Sequence, residues 1–185
     1  MPRRHSRFAS ITTLSLAVFW LALFPAAGAR ADDSKPPTKP PCVAPEHRQF
    51  DFWLGEWEVR DPAGKVVGRN VLTSLHKGCV MLENWTGAGG FSGSSLNVFD
   101  ADRKIWHQTW VDSGGGLLTL EGGLSGGKMV LTSEAVDADK PGQVTVNRIT
   151  WQPLPDGRVR QLWEASTDKR KTWKTAFDGF YTKQK

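Results

Sequence analysis

The sequence predicts an all-β protein in which about ten short antiparallel strands close into an up-and-down barrel. Segments rich in β-branched and aromatic residues recur at regular spacing, and clusters of Gly, Asp, Asn and Pro separate them. No segment with helical periodicity is long enough to cross over between parallel strands. A two-sheet sandwich is the alternative arrangement of the same strands.

Residues 1–31 have the three parts of a secretory signal peptide. Arg3, Arg4 and Arg7 give a basic start, and residues 11–24 form an uncharged, mostly apolar run. Ala29-Arg30-Ala31 fits the pattern of a cleavage site. We therefore expect a periplasmic or secreted protein. A membrane span needs about 20 apolar residues, so we expect no span after signal cleavage.

Removal of the signal also changes the charge of the chain. The full sequence has a net charge of +5, but most of this excess comes from arginines within the signal. Nucleic-acid binding depends on clustered positive charge. Lys169, Arg170, Lys171 and Lys174 form one small cluster, which a solvated turn explains. We therefore expect no nucleic-acid partner.

Residues 32–45 form a proline-rich linker ahead of a single domain over residues 46–185. The density of prolines excludes a helix or a central strand from the linker. Cys42 lies in the linker and Cys79 lies in the domain, and an oxidising compartment favours a disulfide between them. Because these cysteines have no CxxC or His-pair spacing, we expect no metal site and no cofactor.

The predicted domain begins with one short helix and continues as strands. Pro45 suits a helix start, Glu46 suits the first turn and Gly55 suits the end, which predicts a helix over residues 46–54. Turn-forming residues then bound the strand-like segments. The predicted strands are residues 56–60, 66–75, 79–86, 94–99, 105–112, 117–121, 128–136, 144–152, 158–165 and 172–182.

Alternation along these strands puts aromatic and polar side chains on the same faces, because residues two apart share a face. The mixed faces are those of Glu83 and Trp85, of Trp106, Gln108 and Trp110, and of Gln161 and Trp163. A ligand cavity needs apolar walls with a few fixed polar groups, as such faces would provide. A packed core with satisfied polar groups is the alternative.

We predict from these faces a cavity that binds a small hydrophobic or amphipathic molecule. The predicted ligand-binding residues are Glu83, Trp85, Gln108, Trp110 and Trp163, with Arg148 as an anion partner. Two other classes stay open: an isomerase or hydrolase that uses a cavity carboxylate such as Glu83, and an interaction module with surface tryptophans. Since HExxH does not occur and no motif assigns a reaction, binding is the preferred function.

The segment Phe50-Asp51-Phe52-Trp53-Leu54-Gly55-Glu56-Trp57-Glu58-Val59 carries a family resemblance. Further matching residues are Gly78-Cys79, Glu83-Asn84-Trp85, Gly93 to Asn97, Gln108 to Asp112, Arg148 to Trp151 and Arg160 to Trp163. With these the chain resembles a family of secreted bacterial proteins, domain of unknown function 1579. Gly55-x-Trp57 also resembles the first strand of lipocalin-like barrels. The resemblance implies a barrel with an internal cavity, and it implies no reaction or ligand.

Two further resemblances concern the C-terminal part of the chain. Haem-binding barrels of a related build use a histidine near the C-terminus, and no histidine follows His107. This argues against haem. Residues 166–173 are similar to the Asp-box, a hairpin motif of secreted β-proteins, although Arg170 stands where that motif usually has Gly. The Asp-box implies a structural turn and no glycosidase activity.

Overall fold

A computed structural model describes residues 42–136 and 142–185. The strands are β1 (Gly55–Arg60), β2 (Val66–Leu75), β3 (Val80–Gly87), β4 (Ser92–Asp100), β5 (Ile105–Asp112), β6 (Leu117–Ser125), β7 (Lys128–Val136), β8 (Val144–Pro153), β9 (Val159–Ser166) and β10 (Lys174–Lys183). Each strand pairs antiparallel with its neighbours in the chain, and β1 closes the barrel against β10. The predicted up-and-down barrel is confirmed, and this closure excludes the sandwich.

The predicted signal peptide and most of the proline-rich linker lie outside the described residues. Within the described part of the chain, no helix is long and apolar enough to cross a bilayer.

Two short 3-10 turns take the place of the helix predicted over residues 46–54. They cover Pro45–Arg48 and Asp51–Trp53, with a break between them at Phe50, which has non-helical dihedral angles (φ −107°, ψ 3°). A helix of this length is marginal by itself. The break lets Phe50 and Trp53 both enter the barrel, where they are 1% and 0% exposed. The burial of these two rings therefore determines the backbone conformation of residues 45–53.

One glycine pair, at positions 122 and 123, lies inside a strand where the sequence predicted a turn. β6 continues to Ser125, so the predicted strand end at residue 121 is wrong. Gly122 pairs with Leu131, and a Cβ at Gly122 would overlap the carbonyl oxygen of Val130 on β7. The residue is glycine because the neighbouring backbone approaches closely, not because the chain turns there.

An aromatic core fills one end of the barrel. Phe50 and Trp53 enter it from the N-terminal turns, and their ring centroids lie 5.2 and 5.1 Å from that of Trp151. Trp106 makes an edge contact with Phe50 at 5.6 Å. Full burial of a large apolar side chain contributes roughly 1.5–3 kcal/mol. Residues 42–54 thus form a plug, which closes this end.

The Cys42–Cys79 disulfide fastens the plug to the barrel. The bond predicted from the sequence is present, and the Cα atoms lie 5.1 Å apart. Arg48 of the plug donates a hydrogen bond to the carbonyl oxygen of Gly78, next to Cys79. The plug is therefore joined to the β2–β3 connection by a covalent bond and by a hydrogen bond.

Candidate functional site

A cavity of about 340 Å³ lies in the part of the barrel away from the plug. The β3–β4 connection, with Gly87 and Phe91, contributes to its rim. In an up-and-down barrel this connection lies at the end opposite the β2–β3 connection, to which the plug is bound. The interior therefore has a solid aromatic end and a hollow end.

The structure brings five of the predicted ligand-binding residues together in the lining of this cavity. They are Glu83 and Trp85 of β3, Gln108 and Trp110 of β5, and Trp163 of β9. The register between β3, β4 and β5 is unbroken, so alternation holds along these strands. Inward-facing side chains on neighbouring strands therefore meet in one place, as the period of two predicts.

Arg148 is the exception, because it lies on the outer face of the barrel. On β8 the inward positions are Asn147 and Ile149, which places Arg148 outside. It donates to Glu164 Oε2 at 2.9 Å, and its guanidinium carbon lies 3.9 Å from the ring centroid of Trp173. Its predicted place as an anion partner in the cavity is therefore corrected: Arg148 forms an ion pair and stacks on an aromatic ring outside the barrel.

The predicted ligand-binding residues do not include several lining residues on the last two strands, although Gln161 is predicted on the same mixed face as Trp163. Phe177 and Tyr181 of β10 and Gln161 of β9 line the cavity, and so does Phe91 of the β3–β4 connection. The alternation from Phe177 to Tyr181 was a usable signal, although a register shift between Thr175 and Phe177 interrupts it. Phe91 lies in the glycine-rich loop between β3 and β4, where the alternation of side chains along a strand cannot predict which residues face the cavity.

Hydrogen bonds fix two of the tryptophans that form the walls. Trp110 Nε1 donates to Asp112 Oδ2 at 3.0 Å, and Trp163 Nε1 donates to Asn147 Oδ1 at 2.9 Å. Asp112 also accepts hydrogen bonds from the backbone of the β5–β6 connection. The Gly116 N–H above all, and the Trp110 N–H after it, lower the pKa of Asp112, which favours its carboxylate form. The charged form of Asp112 is the better acceptor for the Trp110 indole.

Two glycines make room for the tryptophan rings. A Cβ at Gly93 would overlap the six-membered ring of Trp110, and a Cβ at Gly68 would overlap that of Trp85. Trp85 is also in edge contact with Phe177, at 5.9 Å between ring centroids. Each ring therefore lies over the backbone of a glycine, and both rings line the cavity.

A buried hydrogen-bond network forms the polar side of the cavity. Asn70 Nδ2 donates to Glu83 Oε1 at 2.8 Å, and the Ser95 hydroxyl donates to Glu83 Oε2 at 2.6 Å. Gln108 Nε2 donates to Asn97 Oδ1 at 2.8 Å and to Ser95 Oγ at 3.3 Å. Such networks hold their members in one arrangement.

Burial raises the pKa of Glu83 to about 7, although the hydrogen bonds from Ser95 and Asn70 oppose the rise. Desolvation disfavours the charged form of a carboxyl group. Tyr181 lies near Glu83 and donates to Gln161 Oε1. Burial, and then the Glu83 charge, raise the pKa of the Tyr181 phenol well above its usual value. Near neutral pH, Glu83 is therefore the group that changes charge in the cavity.

The histidine and metal-ligand candidates lie outside the cavity. His107 is on the outer face, with Nδ1 3.1 Å from Glu121 Oε1 and Nε2 2.7 Å from the Thr109 hydroxyl. Among residues 42–136 and 142–185, no group of three or more His, Cys, Asp or Glu side chains could hold a metal ion.

Residues 166–173, the segment that resembles an Asp-box in sequence, form a turn fixed by hydrogen bonds to Asp168. Asp168 accepts from the Thr172 hydroxyl at 2.6 Å, from the Thr172 N–H at 2.9 Å and from the Ser166 hydroxyl at 2.8 Å. The Thr172 side chain, first among these, lowers the pKa of Asp168 to about 2. Arg170 has a φ of 67°, the left-handed region for which Gly is better suited. The segment is a structural turn between β9 and β10.

A comparison with protein-family models finds no match, and a comparison with curated proteins finds no similar chain. The described part of the chain has the architecture of a closed ten-stranded antiparallel barrel with one plugged end and one hollow end.

Proposed function

We propose that the protein binds a small, partly apolar molecule in the hollow end of its barrel. The observation that carries this proposal is a cavity with aromatic walls and a polar side. Its volume of about 340 Å³ is at the lower end of the range of small-molecule sites, roughly 300–1,000 Å³. The walls would contribute about 25 cal/mol per Å² of apolar area buried, before the costs of binding.

The fixed positions of the walls also support binding. Trp110 and Trp163 are held by hydrogen bonds to Asp112 and Asn147, so little side-chain freedom remains to be lost when a ligand enters. Immobilising a free side chain costs roughly 0.5–1.5 kcal/mol. The ring positions are therefore preorganised, and Gln108 or Glu83 would orient the polar part of the ligand.

The interaction-module alternative depends on surface tryptophans. None of the tryptophans in the described part of the chain is among the exposed large apolar side chains, which are residues such as Leu96, Val111 and Leu117. The tryptophans at positions 53, 57, 106 and 151 are buried, and those at positions 85, 110 and 163 line the cavity. This distribution favours a cavity ligand over a protein partner.

A tryptophan fluorescence titration tests the binding function. A panel of small apolar and amphipathic compounds should quench or shift the emission, and the response should saturate. Trp110→Ala should weaken it, whereas Trp173→Phe, on the outer face, is the matched control and should leave the affinity unchanged. A response that stays linear for the whole panel, or that Trp110→Ala leaves intact, contradicts binding in the cavity.

Catalysis by Glu83 is the second candidate function. A buried carboxyl group with a pKa of about 7 in a cavity has the properties of a general acid or base near neutral pH. Recovery of a panel ligand after long incubation separates the two candidates. Mass spectrometry should return it unchanged if the protein only binds it. A product that forms with the wild type and not with Glu83→Gln would favour the enzyme.

We also propose that the protein is exported and belongs to the family called domain of unknown function 1579. The signal features of residues 1–31 support export, and the Cys42–Cys79 disulfide is of a kind that persists in oxidising compartments. The segment from Phe50 to Val59, with the further matching residues, supports the family. Protein recovered from the periplasm or the medium should have an N-terminus near Asp32. An intact Met1 on membrane-embedded protein would overturn export.

A further inference from the structure

We propose that the ligand carries a positively charged amine, which Glu83 and the aromatic walls bind together. This inference rests on the proposed binding function and names the chemical class of the ligand. Three features of the cavity carry it: an acidic group without a cationic partner, a hydrogen-bond acceptor beside that group, and walls made of aromatic rings.

Glu83 has no cationic partner inside the barrel. No Lys, Arg or His of the described residues lines the cavity. The groups near Glu83 are neutral: Asn70 and Ser95 on the neighbouring strands β2 and β4, and Tyr181 on β10. A buried carboxylate is costly without a positive partner. A ligand cation would supply the partner that the protein lacks.

A hydrogen-bond acceptor lies beside the Glu83 carboxyl group on the same side of the cavity. Gln108 uses both hydrogens of its amide group on Asn97 and Ser95, which leaves its Oε1 as an acceptor on the cavity wall. A primary ammonium group has three donors and no acceptor. Its donors therefore match the Glu83 carboxylate and the Gln108 amide oxygen.

The walls suit a cation as well. A positive charge within about 6 Å of an aromatic ring centroid is attracted to the ring face, and tryptophan is the strongest partner. Trp85, Trp110 and Trp163 line the cavity. The indole N–H groups of Trp110 and Trp163 are already bound to Asp112 and Asn147, so these two rings offer no donor to an anionic ligand.

Three probes with the same aromatic body separate the ligand classes: 2-phenylethylammonium, 2-phenylethanol and phenylacetate. Isothermal titration calorimetry of the wild type at pH 8 should show the ammonium compound binding at least about tenfold more tightly than the alcohol, since hydrogen bonds to charged groups are the stronger ones. Phenylacetate should bind most weakly, because its charge repels that of Glu83.

The pH dependence supplies an internal test without any substitution. Glu83 is mostly protonated below pH 7 in the free protein, so ammonium binding must release its proton there. The affinity should fall by up to about tenfold per pH unit below 7. Titrations at pH 6 in two buffers of different ionisation heat should show release of nearly one proton. The alcohol should show neither effect.

Glu83→Gln keeps the shape of the side chain and removes its charge. It should weaken ammonium binding at least about tenfold and weaken binding of the alcohol much less, because only the ammonium group loses a charge partner. Glu164→Gln, which removes a carboxylate from the outer face, is the matched control and should change neither.

Equal affinity for the ammonium compound and the alcohol would overturn the amine and leave the binding function standing. So would an ammonium affinity that does not change with pH between 5 and 8. If none of the three probes binds, the proposal that the ligand is an amine is overturned too. If the wider fluorescence panel also failed, the binding function itself would fall.

Discussion

The Ser95 hydroxyl on β4 donates a 2.6 Å hydrogen bond to Oε2 of Glu83, the residue directly opposite it on β3. Asn70 on β2 donates to the other carboxyl oxygen at 2.8 Å. These neutral donors fix the carboxyl group between three strands but do not neutralise its charge. Burial therefore dominates and raises its pKa. Glu83 therefore lowers the stability of the folded state near neutral pH, and it is also the central polar group of the proposed site.

The raised pKa of Glu83 predicts that the folded protein becomes less stable as the pH rises from 5 to 8. The pKa is about 7 in the folded state against 4.5 for a free side chain, so the folded state binds the extra proton between these values. The stabilisation is complete below pH 4.5 and is lost as the pH rises to 7, by about 3 kcal/mol. Urea unfolding at several pH values measures it.

Glu83→Gln is the matched variant for this pH dependence, because an amide does not titrate. Its free energy of unfolding should fall much less than that of the wild type between pH 5 and 8. A wild-type stability that rises over this interval, or that changes in parallel with the variant, would show that Glu83 is not buried as described.

The Cys42–Cys79 disulfide closes a loop between residues that are 37 apart in the sequence. Closing a loop of this length stabilises the folded state by roughly 4 kcal/mol in the chain-entropy model, and often by less in practice. Replacing both cysteines by serine should lower the free energy of unfolding by up to that amount. Thiol titration of unreduced, denatured wild type should find no free thiol, and two free thiols in natively isolated protein would contradict the bond.

Gly93→Ala should disturb the cavity through Trp110. The added methyl group would overlap the Trp110 ring, so the ring must move. Overpacking of this kind costs typically 1–3 kcal/mol of stability. Ligand affinity should fall as well. Gly123→Ala is the control, because a Cβ there meets nothing within 4 Å. Equal stability of the two variants would mean that Trp110 does not lie over Gly93.

Local patterns were enough to predict the strands, the barrel and five of the lining residues. Glu83, Trp85, Gln108 and Trp110 follow from alternation alone, because the ladder from β3 to β5 has no bulge. The same alternation on β8, with Ile149 and Trp151 inside, would have placed Arg148 on the outer face.

Long-range contacts decided the features that the sequence did not reveal. The helix predicted over residues 46–54 is broken because Phe50 and Trp53 enter the core, and this depends on partners such as Trp151 far along the chain. Gly122 belongs to a strand because the β7 backbone lies against it. The pKa of Glu83 depends on burial by several strands, which no local pattern encodes.

The most direct test of the proposed binding function is to obstruct the hollow end of the barrel. Ala176 lines the cavity at the start of β10 and is exposed, so Ala176→Trp should fill the opening and leave the core intact. Thr73→Trp, at an exposed position of β2, is the matched control. The measurement is calorimetric titration of each variant with the tightest compound of the fluorescence panel. We expect Ala176→Trp to lose at least about tenfold in affinity with an unchanged melting temperature, while Thr73→Trp binds as the wild type does. Unchanged affinity in a folded Ala176→Trp would contradict binding inside the barrel.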